Sequence, residues 1–259
     1  MLKLFVLFIV SAVATADSLG NYLRLDHNAR IVGGRNASIE EFPYLVSIQL
    51  VGDHMCGGGI ISEQWVLTAR TCVVYNGDFI RAGSTYFNKG GSLHMVTQII
   101  KHEKYNFIDY KNRVAVNNIQ LLRVLEPFKF DKTRQPMVLF NANEEVSAHK
   151  IGELAGWGFT ENLQFSQNLK AARLWTITAQ DCKNSYNLSS GLQENQFCVS
   201  WPGYADDAGS FDVGSPFAID GRIAGLVSWG NGGGAAECYG VYTKISSYIP
   251  WIQEKLRVY

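Results

Sequence analysis

Residues 56–72 read Cys-Gly-Gly-Gly-Ile-Ile-Ser-Glu-Gln-Trp-Val-Leu-Thr-Ala-Arg-Thr-Cys. An apolar run, Gly59–Ala69, rich in Ile, Val, Leu and Trp, lies between two cysteines. Runs of the same kind recur at Tyr44–Leu50, His94–His102, Asn118–Leu125, Gly152–Gly158, Ala171–Thr178, Gly221–Trp229 and Gly240–Ile245. Gly, Asn, Asp and Ser separate them. Short segments rich in β-branched and aromatic residues at this spacing predict an all-β barrel or sandwich, not alternating strands and helices. A repeated barrel within one compact unit fits the 259-residue chain. Two helices interrupt the pattern. A short one is expected over Ala179–Tyr186 and a closing one from Ser247 to Leu256. In the second, Ser247 is the expected cap, Pro250 sits in the first turn, and Ile249, Ile252 and Leu256 share a face.

Outside the strands, the chain opens with Lys3, an apolar run Leu4–Val13 and a small-residue site Ala14-Thr15-Ala16. That run is about half of the ~20 residues a membrane span needs, so residues 1–16 read as a secretory signal. A polar stretch, residues 17–30, ends at Arg30-Ile31-Val32-Gly33-Gly34 and reads as a propeptide with a processing site after Arg30. The body is residues 31–259. Secretion permits disulfides. Cys56 with Cys72, and Cys182 with Cys198, would each close a short local loop, worth roughly 3 kcal/mol in the chain-entropy model, although spacing does not fix connectivity. Cys238 is left over. It is either a free thiol on a monomer or a link to a second chain in a dimer. Asn36-Ala37-Ser38 and Asn187-Leu188-Ser189 are glycosylation sequons. Lys+Arg and Asp+Glu are both 23, which gives no support to nucleic-acid binding or a polybasic membrane surface. No second run is long and apolar enough to span a bilayer, so the expectation is a secreted, extracellular protein. No two cysteines are close neighbours and the five histidines are scattered, so neither a metal nor another cofactor is expected.

Several landmarks fall together in order: Arg30-Ile31-Val-Gly-Gly, Cys56-Gly-Gly-Gly-Ile-Ile-Ser, Trp65-Val-Leu-Thr-Ala leading to Cys72, Gly156-Trp157-Gly158, Val227-Ser-Trp229-Gly230, Gly240-Val-Tyr-Thr-Lys and the Trp251-Ile252 helix. On these the chain resembles the trypsin/chymotrypsin-like serine proteases from Ile31 to its C-terminus. The resemblance implies two six-stranded antiparallel β-barrels with a C-terminal helix, a cleft between the barrels, and a zymogen cleaved between Arg30 and Ile31. It also implies that Asp212 receives the new α-ammonium of Ile31.

The family's catalytic positions carry other residues here. The His base follows Leu-Thr-Ala-Ala in the family. This chain reads Leu67-Thr68-Ala69-Arg70-Thr71, which puts Thr71 at the base position and Arg70 where the family has Ala. A Thr hydroxyl does not take up a proton near pH 7, and a guanidinium stays charged. Asn118, in Asn117-Asn118-Ile119-Gln120-Leu121, matches the orienting Asp. An alternative register puts Arg113 there. In Phe211-Asp212-Val213-Gly214-Ser215-Pro216, Val213 stands at the nucleophile and has no nucleophilic atom. Phe211 replaces the Gly whose backbone N–H helps make the oxyanion hole, and its bulk is expected to fill that hollow; losing one such donor costs ~2.7–4 kcal/mol in a working enzyme. Asp207 falls at the base of the specificity pocket, with Gly230 and Gly240 on its walls. The disulfide that braces that pocket in the family is missing.

These substitutions make the expected protein a proteolytically inactive homologue acting by protein binding, not an enzyme. A narrower resemblance, carried by His102-Glu103-Lys104-Tyr105 and the extent of triad loss, is to inactivated protease paralogues of parasitic mites, relatives of the group 3 mite allergens. That resemblance implies binding of host complement components and inhibition of complement. An arthropod homologue serving as cofactor in a melanisation cascade is the alternative. An active trypsin-like protease specific for Arg or Lys ranks last.

Overall fold

The computed structural model describes residues 35–109, 114–158, 166–186, 192–200, 212–230 and 239–259. The leader and propeptide, Arg30, Ile31, Arg113, Asn187, Asp207, Phe211 and Cys238 lie outside these residues. Nine strands come first: β1 Arg35–Asn36, β2 Leu45–Leu50, β3 Asp53–Ile60, β4 Trp65–Thr68, β5 Phe79–Ala82, β6 Ser92–Lys101, β7 Asn106–Asp109, β8 Val114–Val116 and β9 Gln120–Val124. Then follow β10 Ile151–Gly156, β11 Lys170–Thr176, helix α1 Ala179–Tyr186, β12 Gln196–Ser200, β13 Pro216–Ile219, β14 Arg222–Gly230, β15 Gly240–Lys244 and helix α2 Ile249–Val258.

The first barrel is a closed ring, β2-β3-β4-β9-β6-β5. Alternate residues of each strand face inward, so Val46, Ile48, Ile60, Val66, Ile80, Val96 and Leu122 meet in its centre with at most 1% exposure. The second ring is β11-β10-β13-β14-β15-β12, closed by Trp175 and Thr176 of β11 against Ser200 and Val199 of β12. Strand β1 adds to the outside of β11. Leu154, Leu174, Phe217, Ala224 and Tyr242 fill this barrel, and Phe197 stacks on Tyr242 at 5.6 Å. Two six-stranded antiparallel barrels and a C-terminal helix are the expected architecture.

A third cluster joins the barrels. Leu67, Ile119 and Leu121 come from the first, Ala218, Ile223 and Leu226 from the second, Ile245 and Tyr248 from the segment leading into α2, and Ile252 from α2 itself. Burying such side chains stabilises by roughly 1.5–3 kcal/mol each. This seam fixes the barrels against each other, and the candidate site sits at its edge.

Two expectations need correction. The single run Gly59–Ala69 divides into the end of β3 and all of β4. The chain reverses at Ser62-Glu63-Gln64, where the Ile61 N–H donates to the Trp65 carbonyl at 2.9 Å. Ser247 does not cap α2. It belongs to a 3-10 turn, Ile245–Ser247, and Tyr248 takes the cap position with no side-chain hydrogen bond. Pro250 in the first turn starts the helix without a cap, since its missing N–H has no partner to lose there.

Candidate active site at the barrel junction

Thr71 lies in the turn that follows β4. Disulfide Cys56–Cys72, with Cα atoms 6.1 Å apart, ties that turn to β3. Asn118 lies in the connection between β8 and β9, where Asn117 takes a left-handed φ of 51°, a conformation Asn tolerates. Asn117 is held from three directions. Its side-chain oxygen accepts from Tyr248 Oη (3.0 Å) and Asn195 Nδ2 (3.1 Å), and its amide donates to the Lys104 carbonyl (2.8 Å).

The neighbouring Asn118 is 1% exposed. Its Oδ1 accepts from the Thr71 backbone N–H at 2.8 Å, while Nδ2 donates to Thr71 Oγ1 at 3.0 Å and to Ser228 Oγ at 2.8 Å. Thr243 Oγ1 donates to its backbone carbonyl at 3.1 Å. The Asn118 register thus brings the first two sequence-predicted positions together and joins them to Ser228 of β14. Ser228 is a partner the sequence reading missed, although it lies inside the Val227-Ser-Trp229 landmark.

A second polar clamp holds the same turn. Gln120 is fully buried, and its Nε2 donates to the carbonyls of Ala69 (3.0 Å) and Cys72 (2.8 Å), which bracket Arg70 and Thr71.

Val213, half-buried, sits on the facing turn, and its carbonyl accepts from the Gly57 N–H at 3.0 Å. Gly214 follows with φ +84°. A Cβ there would lie 2.1 Å from Thr68 Oγ1 and 2.6 Å from the Gly57 carbonyl, so the close approach of this turn to β3 requires glycine. Ser215 is fully buried, and its hydroxyl has no hydrogen-bond partner among the described residues. Asp212, also fully buried, accepts from the Gly158 N–H at 3.0 Å, and the Gly156-Trp157-Gly158 segment wraps its carboxylate. Gly230 and Gly240 face each other across the open end of β14 and β15.

The described residues also contain a Ser–His pair that the sequence reading passed over. Ser47 Oγ lies 2.8 Å from His54 Nδ1, across the β2–β3 hairpin, and the imidazole packs against Trp157 with centroids 5.7 Å apart. Both residues are 0% exposed, so this pair ties strands together and is closed to a substrate. His102 packs its ring against Tyr248 and Trp251, and burial holds its pKa below the ordinary imidazole value. The second disulfide, Cys182–Cys198, joins α1 to β12. Asn36 is exposed on β1. Among the described residues no group of three or more His, Cys, Asp or Glu is gathered to hold a metal, and no helix is long and apolar enough to cross a membrane.

The junction therefore presents a neutral amide, a hydroxyl and a backbone turn where the two barrels meet. Two closed antiparallel barrels and a C-terminal helix define the serine-protease class of two-barrel proteins. The family model described as Trypsin matches residues 31–252, and the chain belongs to that family. It is 34% identical to trypsin epsilon of Drosophila erecta over 99% of both chains. It is 31% identical to trypsin 5G1 of Aedes aegypti over 89% of this chain and 86% of that one, and 31% identical to a vitellin-degrading protease of Bombyx mori over 88% and 86%. Neuropsin, a serine protease of mouse brain, has a similar structure with a TM-score of 0.78 at 26% identity, covering 87% of this chain and 100% of that one.

These relatives overturn two expectations together, that the chain is no enzyme and that it is an inactive binder directed at complement or a melanisation cascade. They are named as trypsins and proteases over nearly the whole chain, and none of their names marks lost activity or a complement target. The physical weakness of the earlier inference is that it rested on a few side chains. Rate enhancement in this class is spread over substrate binding and backbone donors as well, and a working protease stripped of a triad member keeps about 10³–10⁴-fold over water.

Proposed function

We propose that the chain is a secreted trypsin-class peptidase that takes polypeptides into the inter-barrel cleft and hydrolyses them slowly. The observation that carries this reading is the Thr71–Asn118–Ser228 junction, intact in its hydrogen bonding where the barrels meet, in a chain that matches the trypsin model along its body. The slowness follows from the residues there. Thr71 has no imidazole to take a proton, Asn118 has no charge to stabilise one, and Val213 brings no nucleophilic atom. What remains is orientation of the peptide and polarisation by the cleft.

Within this reading residues 1–16 are the signal, residues 17–30 the propeptide, and Arg30–Ile31 the activation bond, with Asp212 receiving the Ile31 ammonium. Asp207, walled by Gly230 and Gly240, sets a preference for Lys or Arg, and Phe211 narrows the oxyanion site. Asn36 and Asn187 carry glycans and the protein is a monomer. The narrower kinship with mite proteins of the group 3 allergen kind rests on His102–Tyr105 and agrees with an arthropod setting, which the insect relatives also support.

The test is prolonged incubation of the secreted protein, processed after Arg30, with a mixed peptide library, followed by mass spectrometry of the products. Cuts after Lys and Arg that accumulate linearly with protein concentration are expected. A library recovered uncut after days at high protein concentration would remove the reading.

A further inference from the structure

Arg70 stands where the family pattern has Ala, and its surroundings are built to hold a charge in place. Its backbone is bracketed by the two Gln120 hydrogen bonds, by the Asn118 clamp on Thr71 and by the Cys56–Cys72 disulfide. Its guanidinium lies over the Tyr105 ring, 5.0 Å from the centroid, and Tyr105 is itself braced edge-on by Phe107 at 5.5 Å. The guanidinium held against this ring carries its N–H donors in a planar fork. Among the described residues no carboxylate lies within ion-pair distance of it and no acceptor takes its hydrogen bonds. The residue is partly exposed, one position from Thr71. A cation fixed on a clamped turn beside the barrel junction, its donor edge unused among the described residues, matches the bidentate geometry of a carboxylate.

We propose that Arg70 is a specificity-determining residue that reads an Asp or Glu side chain on the polypeptide held in the cleft. The inference rests on the peptide-directed reading above and adds a second, acidic element to the substrate it takes. Binding of the side chain needs no covalent step and no cofactor. Prior stacking on Tyr105 lowers the ordering cost of the long Arg side chain.

The experiment is fluorescence anisotropy with the secreted protein, titrated against labelled peptides of one length that carry Glu or Gln at each position in turn. At one position the Glu peptide is expected to bind about five- to tenfold more tightly than its Gln twin, the range of a charge-assisted hydrogen bond discounted for partial exposure. Arg70→Ala should bring that ratio to about one while leaving the Gln affinity in place. Arg70→Lys, which keeps the charge and loses the fork, should keep only part of it. Raising the salt should shrink the ratio in the wild type alone. An equal Glu and Gln affinity in the wild type, or a ratio that survives Arg70→Ala, overturns the assignment while leaving peptide engagement intact. Failure of every peptide to bind or be cut overturns the proposed function and this assignment with it.

Discussion

Asn118 makes four side-chain hydrogen bonds, two to Thr71 and two to Ser228, at 1% exposure, so its replacement separates two roles that the position combines. Asn118→Leu leaves the Thr71 N–H and the Ser228 hydroxyl without partners in a dry site, at a cost of about 2–4 kcal/mol. Asn118→Asp is milder, because the hydroxyls of Thr71 and Ser228 turn round to donate to a carboxylate. Urea unfolding checks the pair, and a Leu variant as stable as the wild type would show that the junction carries no stability. Ser215 argues the opposite way. Its hydroxyl is fully buried and unpartnered among the described residues, so Ser215→Ala removes a polar burden and should hold or raise stability by up to about 1 kcal/mol. A clear loss in the same urea experiment would mean that the hydroxyl is bonded in solution. At this scale much was legible. Thr71, Asn118 and Val213 are found from short motifs because each motif is local. Ser228 and the Ser47–His54 pair were not, since their partners are set by strand pairing: Ser228 meets Asn118 across 110 positions, and His54 meets Ser47 only once the β2–β3 register is known.

Helix α2 is anchored to the loop after β6 by one carboxylate. Lys255 Nζ lies 2.5 Å from Glu103 Oε1, and Trp251 Nε1 donates to Oε2 at 3.0 Å. The hydrogen bond from Lys255, helped by the one from Trp251 and opposed by slight burial, holds the Glu103 carboxyl down at about 2, below its ordinary 4.5. A carboxyl depressed in the folded state contributes stability above its unfolded pKa and loses it as pH falls through the folded value. The contribution is therefore full above about pH 4.5 and fades towards pH 2. Glu103→Gln should lower the thermal midpoint at neutral pH and converge on the wild type as the pH drops through that window. The gap should be small and salt-sensitive, because the Glu103 side chain is 57% exposed. A gap that stays constant down to pH 2 would remove the ionic account. The elements themselves were unevenly legible. Helix α1 falls on its expected bounds, and the long apolar strands were seen. Strands β5, β12 and β13 were not: they are four or five residues long, and Gln196 and Ser200 interrupt the apolar character of β12. Only the closing of each barrel makes such short segments strands.

The seam between the barrels decides how the whole molecule melts. Leu67, Ile119 and Leu121 of one barrel pack in one cluster with Ala218, Ile223 and Leu226 of the other, together with Tyr248 at the start of α2 and Ile252 within it. Neither barrel can open without exposing this shared apolar surface, which couples their stabilities despite their separate interiors. The disulfides do not supply that coupling, because each closes a local loop of sequence separation 16 within one barrel. The disulfide-intact protein should therefore unfold in a single calorimetric transition whose van't Hoff and calorimetric enthalpies agree. Ile252 tests the seam directly, since it is 3% exposed and lies in the helix, outside both barrels. Ile252→Ala should cost about 3 kcal/mol through lost burial and the cavity left behind. In a domain of this size that lowers the one midpoint by roughly 6–12 °C. If the seam couples the barrels, the whole peak moves and remains single. If each barrel stands alone, the wild type already shows two peaks, or the variant splits one peak into two while the first barrel keeps its midpoint. Either result would confine the α2 contribution to one side and separate the cleft geometry from the stability of the fold.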